Sequence, residues 1–224
     1  MPLLDTGRVR IFFAHIPKTG GTSVEAYLRR KGRVTMIADQ RPLSGESVTP
    51  QHYHRELYRD RLPPGGVDAS FAILRDPLAR LVSEYRFRHR KRAGWYALDP
   101  RFHLGWRLVK IGRDHRLLTF AQWVEAVLEA VRADPCLNDN HIRPQVDFLC
   151  EGMTLFRFED GLAPAFDWID AMTDGRRDAR DHHAKRSTVR PPAVPKRVIA
   201  RVRAFYAEDY ALLEDLAAAG GGSR

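Results

Sequence analysis

The sequence predicts an α/β fold of three layers, in which helices cover both faces of a mainly parallel central sheet. Two short apolar runs rich in strand-forming residues, 9–14 and 69–74, are each followed by a turn and then by apolar residues at helical spacing. Strand and helix patterns alternate along the rest of the chain, which is typical of parallel sheets. Ligands of such folds bind at the carboxyl ends of the strands.

The first elements follow from apolar periodicity and from glycine. The strand 9–14 ends before the glycine pair Gly20-Gly21, and a helical pattern begins at Thr22. A second strand pattern covers 34–38, so the start of the chain is expected to form a parallel βαβ unit. A short helix is predicted over 55–61, before the strand 69–74.

The later elements begin with a strong helix start. Asp76 is a suitable N-cap, and Pro77 suits the first helical position. The remaining predictions, in chain order, are a loop-rich insertion over 93–118, a helix over 120–133, a strand over 154–158, a basic loop over 174–194 and a terminal helix over 195–219.

Length and composition predict one soluble domain. The 224 residues match the usual size of one domain, so we expect a single domain over 1–219 and a flexible tail over 220–224. No run of 18 apolar residues occurs, and the first residues show no leader pattern. We therefore expect a cytoplasmic protein. Cys136 and Cys150 match neither a disulfide framework nor a metal site.

The formal net charge of +9 predicts a positive electrostatic field. Such a field attracts nucleic acid, an anionic membrane face or a small polyanionic ligand, and charge alone leaves all three open. The basic run 86–92 is typical of a solvated helix face, and no nucleic-acid recognition motif accompanies it. We expect no specific nucleic-acid partner and no membrane span, while peripheral membrane contact stays open.

The segment between the first strand and its helix has the composition of an anion-binding loop. Residues 15–23 read His-Ile-Pro-Lys-Thr-Gly-Gly-Thr-Ser. Glycine lets the backbone approach phosphate oxygens, and the helix start and Lys18 add positive charge. In the nucleoside-triphosphate loop the lysine follows the glycines, whereas here it precedes them. The order disfavours hydrolysis of ATP or GTP, although a plain turn with a surface lysine would contain the same residues.

A second segment repeats this arrangement at the end of the next strand. Residues 74–85 read Leu-Arg-Asp-Pro-Leu-Ala-Arg-Leu-Val-Ser-Glu-Tyr. Arg75 leaves the strand, and Ser83 lies about two turns into the following helix, so both can bind one further phosphate. One phosphate at each junction indicates a nucleotide with two separate phosphates.

Together the two segments resemble the 5′-phosphosulfate loop and the 3′-phosphate motif of sulfotransferases that use 3′-phosphoadenosine 5′-phosphosulfate (PAPS), in particular the carbohydrate-modifying branch. Members of that family show close variants of HIPKTGGTS and of RDPxxRxxSxY. Segments 140–145, 156–160 and 206–210 also resemble family landmarks. The resemblance implies a P-loop-like fold, PAPS as donor, adenosine 3′,5′-bisphosphate as product, no metal, and a carbohydrate hydroxyl, which an acidic glycan could supply, as acceptor.

The resemblance also implies a role for each matching residue. Lys18 would stabilise the leaving nucleotide, while Arg75 and Ser83 would hold the 3′-phosphate. The late basic loop would cover the nucleotide, unless it is simply solvated. The residues implied for the 5′ end are Pro17, Lys18, Thr19, Gly20, Gly21, Thr22 and Ser23, and those of the late loop are Lys185, Arg186 and Ser187.

Sulfuryl transfer to a hydroxyl needs a group that takes the acceptor proton. His52 lies between the two cofactor motifs, where similar sulfotransferases carry a histidine base. His54, two residues further on, could replace His52 or position the sugar. The acceptor side is expected to include His52, His54, His141, Arg143 and Gln145.

Three alternatives remain at this point. A small-molecule or nucleotide kinase would need Mg²⁺ and a hydroxyl directly after the lysine, and Thr19 does follow Lys18. A basic nucleic-acid-binding module would bind in a salt-sensitive way without affinity for PAPS. A family member that binds nucleotide but has lost catalysis would keep the cofactor motifs and fail to turn over.

Overall fold

A computed structural model describes residues 1–36, 42–43, 45–63, 66–89, 101, 104–173, 175 and 194–220, and the structural statements below concern these residues. Three predictions fall outside the described residues. They concern the late loop with Lys185, Arg186 and Ser187, the tail 221–224, and the last two positions of the strand 34–38.

Five strands form the central sheet, in the order β3-β1-β2-β4-β7, and two form a separate hairpin. The strands are β1 (Leu3–Asp5), β2 (Arg10–Ala14), β3 (Arg33–Thr35), β4 (Ala69–Leu74), β5 (Arg107–Ile111), β6 (Asp114–Leu118) and β7 (Thr154–Arg157). β2, β4 and β7 are parallel, whereas β1 is antiparallel to both β2 and β3. The sheet is therefore mixed but mainly parallel, as predicted.

The predicted parallel βαβ start is confirmed in direction, since β2 and β3 are both antiparallel to β1 and therefore parallel to each other. The two strands are not direct neighbours, because β1 lies between them. β1 has three residues, which is too short to show an alternating pattern. It pairs with both neighbours in register, Leu4 facing Ile11 of β2 and Val34 of β3.

Besides short 3-10 turns, eight α-helical segments accompany the strands in the described residues: α1 (Gly21–Leu28), α2 (Arg55–Arg59), α3 (Pro77–Arg88), α4 (Phe120–Ala133), α5 (Leu137–Asn140), α6 (Ala163–Met172), α7 (Lys196–Phe205) and α8 (Ala207–Gly220). The start of α3 is as predicted, since the side chain of Asp76 accepts a hydrogen bond from the amide of Ala79 at 2.7 Å. None of these helices has the length and apolar composition that crossing a bilayer requires.

Helices cover both faces of the sheet. Alternating side chains of β2 separate the two sides, since Phe13 packs with α1 and α6, and Phe12 packs with α2 and α8. A third apolar cluster lies beside the sheet and joins α3, α4, α7 and β5. The predicted three-layer α/β arrangement agrees with these contacts.

Two predictions from periodicity are wrong. The loop-rich insertion contains the hairpin β5–β6, whose outer strand begins with the exposed residues Asp114, His115 and Arg116 and so lacks a clear apolar pattern. The terminal helix is two helices, α7 and α8, separated at Tyr206. The buried Tyr206 hydroxyl donates to the carbonyl of Ile142 at 2.6 Å, which fixes the break in the core. Helix α6 was not predicted.

Candidate active site

The loop between β2 and α1 is shaped by two residues with left-handed backbone. Lys18 has φ of 71° and Gly20 has φ of 92°. A β-carbon on Gly21 would lie 1.8 Å from Nε2 of His15, so a larger residue does not fit there. The buried Thr19 hydroxyl donates to the carbonyl of Ile16 at 2.9 Å. Helix α1 starts directly after this turn, which places its positive end at the carboxyl edge of the sheet.

Arg75 brings the second motif to the same edge. Because β2 and β4 are adjacent and parallel, with Ala14 facing Ala72, both motifs follow neighbouring strand ends. Nη1 of Arg75 donates to the carbonyl of Lys18 at 3.0 Å, and the guanidinium lies 4.4 Å from the ring centroid of Phe158.

The Arg75 guanidinium is also partly unsatisfied. Burial lowers the pKa of Arg75. Its buried Nε has no hydrogen-bond partner among the described residues, a state that an anion would relieve. Ser83 is half-buried on α3, two turns beyond Arg75.

Three buried histidines form a cluster next to the loop. The ring of His52 makes edge-on contacts with the rings of His15 and His141, with centroid separations of 5.0 and 4.8 Å. They come from separate segments, since His15 follows β2, His52 ends a short 3-10 turn, and His141 follows α5. The cluster therefore depends on the fold.

A carboxylate fixes the orientation of His52. Nδ1 of His52 lies 2.7 Å from Oδ2 of Asp139. The same Oδ2 accepts a hydrogen bond from the Thr49 hydroxyl, and Oδ1 accepts one from the Thr49 amide, each at 2.7 Å. This network assigns the proton to Nδ1 and leaves Nε2 with its lone pair. Burial lowers the pKa of His52 to about 4, although Asp139 opposes the shift. His52 is therefore neutral at pH 7.

A second carboxylate binds His141. Oε2 of Glu84 lies 2.6 Å from Nδ1 of His141, and Oε1 accepts from Nε of Arg88 at 2.5 Å. Burial alone would raise the pKa of Glu84, but His141 and Arg88 more than offset it and hold the pKa at about 2. Neither Glu84 nor Asp139 was predicted. Glu84 follows Ser83 within the RDP segment, and nothing in that segment shows that a distant histidine faces it.

An unusual turn presents Asp139 and His141. Asn138, Asp139 and Asn140 have positive φ of 56°, 64° and 62°, a conformation that Asn and Asp tolerate better than other non-glycine residues. The Asn140 side chain donates to the carbonyl of His52 at 2.9 Å. The buried Arg80 donates to the His141 carbonyl at 3.0 Å and so holds the end of the turn.

His54 and Arg143 lie at the side of the cluster, around Asn140. Nδ1 of His54 is 3.2 Å from Nδ2 of Asn140, and Nε2 is 3.7 Å from a carboxylate oxygen of Glu56. Arg143 donates from Nε to the Asn140 side chain at 2.9 Å and from Nη1 to Asp147 at 3.1 Å.

Gln145 is placed differently from the other residues expected on the acceptor side. It is fully buried, and its amide exchanges hydrogen bonds with the backbone N–H and carbonyl of Arg75 at 3.0 and 2.8 Å. Its Nε2 also donates to Asp209 of α8 at 3.2 Å, and its backbone N–H donates to the same carboxylate. These contacts brace the end of β4.

One group of side chains has the composition of a metal site. Ligand atoms of His52, Asp139 and His141 lie within 4.8 Å of one another. Asp139 is already bonded to His52 and to Thr49, as expected of a carboxylate that orients an imidazole. That no metal is needed stays a prediction.

Phosphate-sized anions commonly bind where a glycine loop and a helix start meet the carboxyl edge of a parallel sheet. The family comparison is consistent with that geometry. The sequence model of the sulfotransferase family matches residues 2–160, and the chain belongs to that family. It is thus an enzyme of sulfuryl transfer, and the kinase and nucleic-acid-binding alternatives find no support. Searches of curated proteins and of solved structures gave no match.

Proposed function

We propose that this sulfotransferase moves the sulfuryl group of PAPS to a carbohydrate hydroxyl, with His52 as the general base. The observation that carries the proposal is the placement of His52. Its ring contacts His15, the first residue of the glycine loop, and Asp139 fixes the proton on Nδ1. A neutral imidazole whose Nε2 carries the lone pair thus lies directly beside the loop expected to bind the donor.

The residues around the loop fit a donor with two phosphate positions. Glycine at position 21 lets His15 pack against the loop, and Thr22 and Ser23 add hydroxyls at the start of α1, where a helix start favours the anionic 5′ end of the donor. Arg75, with its unpartnered Nε, and Ser83 would hold the 3′-phosphate. The residues proposed to complete the donor site from the late loop are Lys185, Arg186 and Ser187.

PAPS supplies the sulfuryl group through an activated phosphosulfate bond. Nε2 of His52 takes the acceptor proton while the acceptor oxygen forms its bond to sulfur. Lys18 stabilises the charge on the bridging oxygen as the bond from that oxygen to sulfur breaks, and the loop amides hold the equatorial oxygens. Asp139 keeps His52 oriented and stabilises the imidazolium. Adenosine 3′,5′-bisphosphate leaves with the bonding electron pair.

The other histidines are proposed to position the acceptor. His141 presents a ring whose Nδ1 is bound to Glu84, and His54 with Arg143 borders the same region around Asn140. The positive charge of the chain favours an acidic glycan. Gln145 acts through Arg75 rather than on the acceptor. A cytoplasmic location stays a prediction.

Titration calorimetry with adenosine 3′,5′-bisphosphate tests the donor site. We expect micromolar binding that is selective over ATP with Mg²⁺, and about 10–100-fold weaker binding by Arg75→Ala, because charge-assisted hydrogen bonds to the 3′-phosphate are lost.

Arg59→Ala is the matched control, since Arg59 lies on α2 with a side chain that is 72% exposed. It should bind like the wild type. No binding by the wild type, or a preference for Mg-ATP, would overturn the proposed function.

A further inference from the structure

Phe87 is an exposed aromatic residue beside the candidate active site. Its side chain is 61% exposed, although it lies on α3 only one turn beyond Ser83. Among the described residues, the other exposed large apolar side chains are Leu43 and Leu104, which lie outside the loop 15–23 and the helix α3. The position of Phe87 therefore calls for a functional explanation.

The Phe87 ring lies between a donor-side and an acceptor-side residue. Nζ of Lys18 is 3.9 Å from its centroid, a close cation–π contact. The His141 imidazole stacks with the same ring at 5.9 Å, with only 17° between the planes. Phe87 thus links the residue proposed to stabilise the leaving nucleotide with the histidine proposed to face the acceptor.

The Lys18 ammonium has one partner in the free protein and a different one in the proposed reaction. At 3.9 Å it is in van der Waals contact with the ring, whereas the reaction requires it at the bridging oxygen of the donor. A bound phosphosulfate offers a full negative charge, which attracts the ammonium more strongly than an aromatic quadrupole does. Donor binding should therefore draw Lys18 away and uncover the Phe87 ring.

We infer that Phe87 holds Lys18 in the free enzyme and that its ring face, once vacated, stacks on a ring of the acceptor. The inference rests on the proposed function and deepens it. It assigns an acceptor with an apolar ring face, such as a pyranose, in preference to a simple alkyl alcohol. It also sets the order of binding, because the acceptor platform opens only after the donor is bound.

His141 contributes by fixing the plane of the platform. Its ring is nearly parallel to Phe87 and is itself held through the Nδ1 contact with Glu84. Arg88 lies 5.5 Å from the Phe87 centroid and bonds to the same carboxylate. The platform is thus fixed before any acceptor arrives.

The deciding experiment needs no acceptor. Adenosine 3′,5′-bisphosphate is titrated into the wild type, Phe87→Leu and Phe87→Tyr, with Leu104→Ala as a control that truncates an exposed apolar side chain elsewhere. Phe87→Leu should bind about 2–5-fold more tightly, because no cation–π contact has to be broken. Phe87→Tyr and Leu104→Ala should match the wild type.

Equal or weaker binding by Phe87→Leu would overturn the inference. Absence of binding by the wild type would instead overturn the proposed function, so the two failures are distinguishable.

A second measurement uses labelled PAPS and desulfated chondroitin as probe. Phe87→Leu should raise the KM for the acceptor about 3–10-fold, because stacking depends on the aromatic ring. Phe87→Tyr keeps the ring and should keep the wild-type KM. An unchanged KM in Phe87→Leu would remove the stacking role.

Discussion

The proposed donor and acceptor sides of the candidate site are built in different ways. The donor side is one continuous loop, 15–23, plus the end of the adjacent parallel strand, and it relies on backbone shape at Lys18 and Gly20. The acceptor side is made of side chains from separate segments, with His52 and His141 held by carboxylates from elsewhere in the chain. The loop is a local property of the sequence, whereas its contact with Arg75 and the whole acceptor side exist only after folding.

The two sides also differ in their charge balance. On the donor side, burial lowers the pKa of both Lys18 and Arg75, and Nε of Arg75 lacks a partner among the described residues. On the acceptor side, Asp139 and Glu84 are each paired with a histidine. The donor side therefore favours an anion, whereas the carboxylates of the acceptor side already have hydrogen-bond partners. His52, the proposed base, is already oriented by Asp139, and it lies beside a donor side that carries the cationic residues Lys18 and Arg75. This arrangement suits a reaction that starts with donor binding.

The largest expected effect concerns the base itself. His52→Ala should lower kcat by about 10²–10⁴ because general base catalysis is lost, with little change in adenosine 3′,5′-bisphosphate affinity. His54→Ala is the matched comparison and should lower kcat by less than about tenfold, the equivalent of one hydrogen bond. Labelled PAPS turnover measures both. A larger loss of kcat in His54→Ala than in His52→Ala would indicate that His54 is the base.

A smaller effect is expected at the carboxylate that orients His52. Asp139→Asn should lower kcat about 10–100-fold, the range typical of partners that orient a functional histidine. The Asn amide can donate to Nδ1 and so favours the other tautomer, which has no lone pair on Nε2. Donor affinity should stay within twofold of the wild type. Equal loss of donor binding and turnover would show that the turn at Asp139 has collapsed.

The smallest expected effect is on stability. His52 has a pKa of about 4 in the folded protein and an ordinary value of 6.5. Between these values the unfolded chain binds a proton that the native His52 does not, so the free energy of unfolding falls as pH falls. From pH 7 to 5.5 the loss from His52 should be about 1 kcal/mol.

Urea unfolding at both pH values measures this loss. The buried His15, whose pKa is also lowered by burial, contributes in the same direction. His52→Gln removes one titrating group and should reduce the pH dependence by the His52 share. The same slope in His52→Gln and in the wild type would contradict the depressed pKa.

The sequence predicted the parts that are local. The strand over 69–74, the helix over 120–133 and the Asp76 cap follow from periodicity and capping within a few residues. The donor loop is contiguous, and the parallel pairing of β2 with β4 is enough to bring Arg75 to it. The strand, the helix and the cap needed no knowledge of distant contacts, whereas the approach of Arg75 to the loop followed from the expected parallel sheet.

The sequence could not predict what depends on distance along the chain. Glu84 and His141 are 57 residues apart, and His52 and Asp139 are 87 apart, so only tertiary packing pairs them. The three-residue strand β1 lacks a pattern of its own and is defined by its two neighbours. Gln145 matched a landmark expected near the acceptor, and its side chain is occupied with Arg75 and Asp209.

The contact between Gln145 and Asp209 has a consequence for where the functional unit ends. Asp209 is 1% exposed and lies on α8, well beyond residue 160, where the match to the family ends. Its carboxylate accepts hydrogen bonds from the backbone and the side chain of Gln145. The side-chain amide of Gln145 in turn donates to the backbone carbonyl of Arg75. A fragment cut at residue 160 would keep Lys18, His52 and Arg75, yet lose the support of the arginine. The minimal catalytic unit therefore includes the C-terminal helix, although that helix supplies no residue proposed to touch the substrates.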